Sequence, residues 1–477
     1  MSLKTNTLVT VLLVVAASTI PGWVDAQTSS GPSAGATGTA PNPGTPDAPS
    51  WLFPVAKLDE SLPSWLRFGG EYRIRPEGPI GIGFAGTNDV YVFDRLRVWM
   101  AIQPTDWLLF KGELQDSRIF FNHHIPNANP NEDTFTLWEG YAQVGSSTEG
   151  WVDVVGGRQV LRFGDERVIG PSEWLNVGRT FNVARVDLHH PGYFVSVFAS
   201  AVVPGDNAFL HNAVPGNDLF GVYGSFQNIV PKATFEPYVL YHVAPSNPGL
   251  PETLGLGQLS EVTIGLHWKG DLPKNFDYDT EFDGQTGSLG VRSISAWAGY
   301  VGVGKTFRSV AASPRVFAEG NYASGTKNPA GHDWNTFDQL YPSNHDKYGF
   351  DDLIGRRNLV HYRVGVEEAP TKRWKLKQQF ESFWLATTHD NLYASSGAIE
   401  VAAHPGASSH VGDELDVVSE YSLTEGLNFG VGYGIFFTGQ FLQTTTHGHD
   451  YSYPYAYVEY DFSKSGFHFP ITPNKPN

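Results

Sequence analysis

The chain has 477 residues, is 41% hydrophobic and 14% aromatic, and carries a formal charge of −17 at pH 7. That acidity argues against nucleic-acid binding, which needs a basic field facing the phosphates. Cysteine is absent, which excludes disulfides, thiolate nucleophiles and cysteine-based metal sites together.

In chain order, the first element is a secretory signal. Lys4 supplies a basic start, residues 8–20 an apolar stretch, and Val24-Asp25-Ala26 a small-x-small cleavage site. Residues 1–26 are therefore set apart from the fold as a signal peptide. Residues 27–64 read as a Gly/Ala/Pro/Ser linker and periplasmic lead-in, too poor in large apolar side chains to offset chain entropy. Past the signal no apolar run reaches the ~18 residues of a membrane-spanning helix.

Residues 65–462 instead carry repeated segments of about ten residues that alternate apolar and polar, the period-two signature of a strand with two different faces. In the clearest of them Leu427, Phe429, Val431, Tyr433, Ile435 and Phe437 share one face, and Gly430, Gly432 and Gly434 lie on the other. Such a stretch is long enough to cross a bilayer obliquely. About eighteen segments of this kind begin near Leu66, Val90, Leu108, Thr134, Val152, Val183, Tyr193, Phe220, Phe235, Glu261, Phe276, Ser293, Arg315, Leu359, Trp374, Val411, Leu427 and Tyr453. Tight connections at residues 103–106, 145–150, 270–273, 368–371 and 424–426 alternate with long ones at 116–133, 158–180, 204–219, 244–260, 323–358 and 387–410. This rhythm predicts an all-β transmembrane antiparallel barrel in the outer membrane, with short periplasmic turns and long extracellular loops. Trp99, Trp107, Trp138, Trp268 and Trp374 fall near strand ends, where interfacial girdles belong. The last strand ends in aromatics, as outer-membrane assembly machinery reads them, and a tail of residues 463–477 follows.

A lipid-facing arginine near the midplane costs ~2–4 kcal/mol, so the charged parity must turn inward. That parity places Glu71, Arg73, Arg75, Arg95 and Arg97 in the lumen. Farther along it adds Lys111, Glu113, Glu139, Arg179, Arg185, Asp187 and Arg363. These charges could neutralise one another in a plugged barrel, as buried charges require. The expectation preferred here is a water-filled channel lined with fixed charge. An acidic stripe, Asp277, Asp279, Glu281 and Asp283, shares one face of a later strand.

Several short motifs resemble the alginate export family of outer-membrane porins. They are 69–75 (GGEYRIR), 94–97 (DRLR), 115–118 (QDSR), 157–159 (GRQ), 163–170 (FGDERVIG), 174–176 (WLN), 337–342 (FDQLYP) and 432–436 (GYGIF). The resemblance runs from about Leu66 to Phe462. It implies an eighteen-stranded barrel with an arginine-rich constriction that passes an anionic polyuronate, and it adds Arg118 and Arg158 to the lumenal set. Strict alternation from Val152 and Val154 turns Arg158 toward lipid; a bulge at Gly156-Gly157 would return it to the lumen.

No nucleophile elbow, phosphate loop or zincin helix is present, and the His447-Gly448-His449-Asp450 cluster reads as solvated. The expectation is a non-enzymatic channel with no cofactor and no metal. Its partners would be an anionic polysaccharide or small acidic sugars, outer-membrane lipid and the barrel assembly machinery, with the chain acting as a monomer. The alternative is a general or sugar-uptake porin without polyuronate specificity.

Overall fold

The computed structural model describes residues 61–145, 150–203, 209–227, 229–246, 256–424 and 426–462. The expected signal peptide, nearly all of the linker and the C-terminal tail lie outside the described residues. Eighteen long strands run in chain order. They are β1 (Leu66–Glu77), β2 (Tyr91–Thr105), β3 (Leu108–Phe120), β4 (Asp133–Gly145), β5 (Val152–Gln159) and β6 (Thr180–His190). Next come β7 (Tyr193–Val203), β8 (Asp218–Gln227), β9 (Ala233–Ala244), β10 (Leu259–Leu272), β11 (Phe276–Leu289) and β12 (Arg292–Thr306). The last six are β13 (Arg315–Ala323), β14 (Leu359–Thr371), β15 (Trp374–Leu385), β16 (His410–Thr424), β17 (Leu427–Thr438) and β18 (Tyr451–Asp461). Each pairs antiparallel with the next, and β18 returns to β1 with Arg73 opposite Glu459 and Tyr72 opposite Tyr460. The sheet therefore closes on itself and leaves no edge, the arrangement that lets strands cross lipid.

The outward parity is apolar and exposed on the isolated chain: Ile74, Leu96 and Val98 on β1 and β2, Ile264 and Phe282 on β10 and β11, Val431 and Tyr433 on β17. In the membrane that surface meets acyl chains, so its exposure is what a lipid face requires. Trp107, Trp268 and Trp374 sit on this outer side near the tight turns, as expected of a girdle. Trp99 and Trp138 do not. Trp99 shares the inward parity of Arg95 and Arg97 and is buried beside Ala101 and Leu109; Trp138, the extra residue of a bulge against β3, turns inward beside Glu139 and is buried under the Arg97 guanidinium. Both lie in mid-strand and not at the strand ends.

The long and short connections alternate with two exceptions. Gly290-Val291 joins β11 to β12 tightly at the long-loop end, with Gly290 at φ +59°, and residues 307–314 form a longer link at the short-turn end. The main departure concerns the lumen. Residues 160–179, between β5 and β6, and most of residues 324–358, between β13 and β14, fold into the barrel instead of standing outside it. Leu161, Phe163, Val168 and Ile169 of the first pack with Phe181, Phe198 and Tyr223 of the wall, and Phe337, Tyr348 and Phe350 of the second pack with Leu359, Phe383 and Phe436. Burial of these side chains, each worth roughly 1.5–3 kcal/mol, drives the loops inward. The barrel has a core of its own.

Candidate functional site in the barrel lumen

The two inner loops also pair with each other. Ile169 and Tyr341 form a parallel bridge, Gly170 N–H donates to Tyr341 O (2.8 Å), and Tyr341 N–H donates to Val168 O (2.9 Å). Arg179, at the end of the first loop, donates to Gly170 O (3.1 Å) and Pro342 O (3.2 Å). The motif segments 163–170 and 337–342 thus meet in the middle of the lumen.

The arginines of β1 and β2 hold the first loop. Arg73 donates to the carbonyls of Glu173 (2.9 Å), Trp174 (3.0 Å) and Leu175 (3.0 Å). Arg75 bonds Trp174 O and the Glu77 carboxylate and lies 3.9 Å over the Trp174 ring. Arg95 pairs with Glu71 and donates to Glu173 O (2.9 Å). Arg97 pairs with the Glu173 carboxylate at 2.6 Å and stacks 4.3 Å from Trp138. Glu173 is the focus of the set, with Arg162 at 3.1 Å and Arg95 at 3.6 Å completing its shell. Burial by itself would raise the Glu173 carboxyl; the guanidinia of Arg97, Arg95 and Arg162 override that and hold it at about 2. Three arginines around one carboxylate is a recognition geometry for anions.

Arg73, Arg75, Arg95 and Arg97 are only 0–4% exposed. In this conformation Arg73, Arg75 and Arg95 donate to loop carbonyls and Arg97 to the Glu173 carboxylate, so the 160–179 loop covers them and they do not form the open ring expected from the sequence. The physical reason is the carbonyl-rich turn at 173–175, which satisfies guanidinium donors that would otherwise need solvent.

The remaining expected residues distribute as follows. Arg185 pairs with Asp187 along β6 (3.1 Å), and Lys111 binds Glu113 (2.6 Å) and Glu139. Arg363 pairs with Glu319 (2.8 Å), which also takes Arg167 (2.8 Å). Arg118 is a correction: it falls on the outward parity with Asp116, with which it pairs at 2.6 Å, and its side chain is 49% exposed. Arg158 is another. The register of β5 against β4 and β6 runs unbroken, with Arg158 opposite Gly140 and Asn182, so it keeps the parity of Val154. Its guanidinium is covered by the 209–217 segment through His211 O (2.6 Å) and also donates to Leu137 O and Asn182 Oδ1. Capping by that segment makes an inward turn unnecessary.

Several basic groups escaped the sequence reading, among them Arg162, Arg167, Arg356 and Lys347. These four lie in the inner loops, where strand parity carries no information. Arg356 spans Glu281 and Asp283 (2.9 Å each) and Arg315 takes Asp277 (2.6 Å), so the acidic stripe of β11 is largely neutralised from within. Lys347 and Arg167 both bind Asp165 (2.9 and 3.0 Å), whose carboxyl is lowered despite burial by these two cations. The resemblance offered a signal for Arg167 alone, which lies in the 163–170 motif; Arg162, Lys347 and Arg356 lie outside every motif.

Comparison with known proteins agrees with this architecture. The alginate export family model matches residues 64–453. No curated protein sequence matches. The fold is similar to solved outer-membrane porins at 8–11% identity. OpdQ of Pseudomonas aeruginosa has 11% identity and a TM-score of 0.56, with 83% of this chain and 97% of that one covered. OccAB2 of Acinetobacter baumannii has 8% and 0.56 over the same shares. OccK11 (OpdR) of Pseudomonas aeruginosa has 11% and 0.53, covering 83% and 95%. With a closed eighteen-stranded barrel, a lipid-facing apolar exterior and a family match over most of its length, this chain belongs to the alginate export family of outer-membrane channels.

Proposed function

We propose that the channel passes an anionic polysaccharide of the polyuronate type, or shorter acidic sugars, along the arginines of β1 and β2. The observation that carries this reading is the Glu173 carboxylate held by Arg97, Arg95 and Arg162. It occupies the place a uronate carboxylate would take, as an internal stand-in. Displacement of the 160–179 loop, which carries Glu173 and Arg162 with it, frees Arg95 and Arg97 together, and the incoming carboxylates replace Glu173 one after another. Arginine suits the task because it stays charged at any biological pH and its planar fork matches a carboxylate. Arg185 and Arg363, each already partnered by a carboxylate, extend the basic path. The chain acts as a monomer, since its apolar exterior continues all the way round the closed sheet.

Planar-bilayer reversal potentials in a salt gradient test the proposal. Anion preference is expected, weakened by Arg95→Glu combined with Arg97→Glu, and oligouronate added to one side should block the current. Cation preference in the unmodified protein would leave a general porin without polyuronate specificity.

A further inference from the structure

A second group of charges in the lumen takes no part in that path. Asp351, in the inner loop 324–358, lies against Glu414 and Asp416 of β16, and one carboxylate oxygen from each comes within 4.8 Å of the other two. The three residues are 5%, 1% and 0% exposed. The charges that bear on Asp351 are Asp416, Asp352 and Glu381, all of its own sign. Asp352 and Glu381 already have partners in His345 (2.8 Å) and His361. Both carboxylate oxygens of Asp351, and Oδ1 of Asp416, have no hydrogen-bond partner. A buried carboxylate without donors is among the most expensive groups a fold can contain, and here it points at two more.

The surrounding backbone keeps that space clear. A Cβ on Gly434 would stand 2.0 Å from Asp351 Oδ1 and 2.8 Å from Asp416 Oδ1, so β17 passes the cluster only as glycine. Gly349, at φ +86°, approaches from the other side, where a Cβ would lie 2.3 Å from Glu414 Oε2.

We propose that Asp351, Glu414 and Asp416 hold a hard divalent cation, calcium by preference, that fastens the inner loop 324–358 to the barrel wall. Two oxygens bound to one calcium ion at roughly 2.4 Å can lie no more than about 4.8 Å apart, a limit that all three carboxylates satisfy. An all-carboxylate donor set disfavours soft metals, and calcium tolerates the irregular geometry that one loop and one strand impose. The ion supplies the positive charge that, among the described residues, no ion pair brings to these three carboxylates. Magnesium, which demands near-ideal octahedral geometry, binds more weakly at such a site. The site is independent of the anion path, so either proposal can fail without the other.

The test uses the full chain in detergent, stripped with EDTA and titrated with calcium by calorimetry, alongside thermal unfolding and amide exchange. One calcium per chain is expected, with a raised unfolding temperature and slowed exchange across 334–357. Asp351→Asn combined with Asp416→Asn should weaken calcium binding at least tenfold and abolish the calcium-dependent rise. The competing account is that the carboxyls share protons. It predicts no calcium binding by the wild type beyond that of the double variant, and a variant more stable than wild type even in calcium. Either result overturns the proposal. If the double variant does not fold, an unfolding temperature of the wild type that is the same in calcium and in EDTA is sufficient to do so.

Discussion

Glu173 concentrates the electrostatics of the lumen in one carboxylate. Replacing it with glutamine leaves the buried Arg97 without its carboxylate, a change that costs roughly 3–5 kcal/mol when one partner of a buried pair is lost, while Arg95 keeps Glu71 and Arg162 keeps Glu166. The expected outcome of Glu173→Gln is a loosened 160–179 loop and a larger single-channel conductance in planar bilayers; an unchanged conductance would remove Glu173 from the control of occlusion. The same residue sets a pH window. Its carboxyl stands at about 2, below the ordinary 4.5, so its contribution to stability is complete above pH 4.5 and is lost as pH falls from there through about 2. Conductance of the wild type should therefore stay low from neutral pH to about 4.5 and rise toward pH 2, while the glutamine variant stays flat across that window.

At the scale of elements, the inner loop 324–358 changes what a protease can reach. Its tip at 327–333 is mostly exposed, whereas Trp334, Phe337, Tyr348 and Phe350 are buried in the lumen, and Arg356 is locked between Glu281 and Asp283. Trypsin added to intact cells should cut after Lys327 and spare Lys347, Arg356 and Arg357, as read by mass spectrometry of the fragments. Cutting at those three sites would place the loop outside the barrel. A less specific protease should also cut the exposed stretch at 404–406 in the connection between β15 and β16. Cleavage near Lys274, in the turn between β10 and β11, would invert the topology.

For the molecule as a whole, closure of β18 on β1 predicts heat-modifiable migration on a denaturing gel. The unboiled barrel should run faster than the boiled chain, because eighteen paired strands resist detergent until heated. A single band indifferent to boiling would argue against the closed sheet.

The strands of this protein are legible in its sequence because a membrane barrel is a periodic object. Lipid outside and polar groups inside impose a two-residue rule on each crossing, and strict parity placed Arg73, Arg75, Arg95 and Arg97 on the inner wall from local information alone. That rule ends where the strands end. Arg73 meets Glu173 across 100 residues of chain, and Arg167 meets Glu319 across 152. No period relates such partners, so only the tertiary structure decided that two long loops turn inward, that the arginines are covered by carbonyls, and that Asp351 comes to rest against Glu414 and Asp416. Arg118, Arg158 and Trp99 obey the parity of their strands, and it is resemblance and position along the strand that misplace them. Trp138 does not: it is the extra residue of a bulge in β4, where strand pairing and not lipid decides the face.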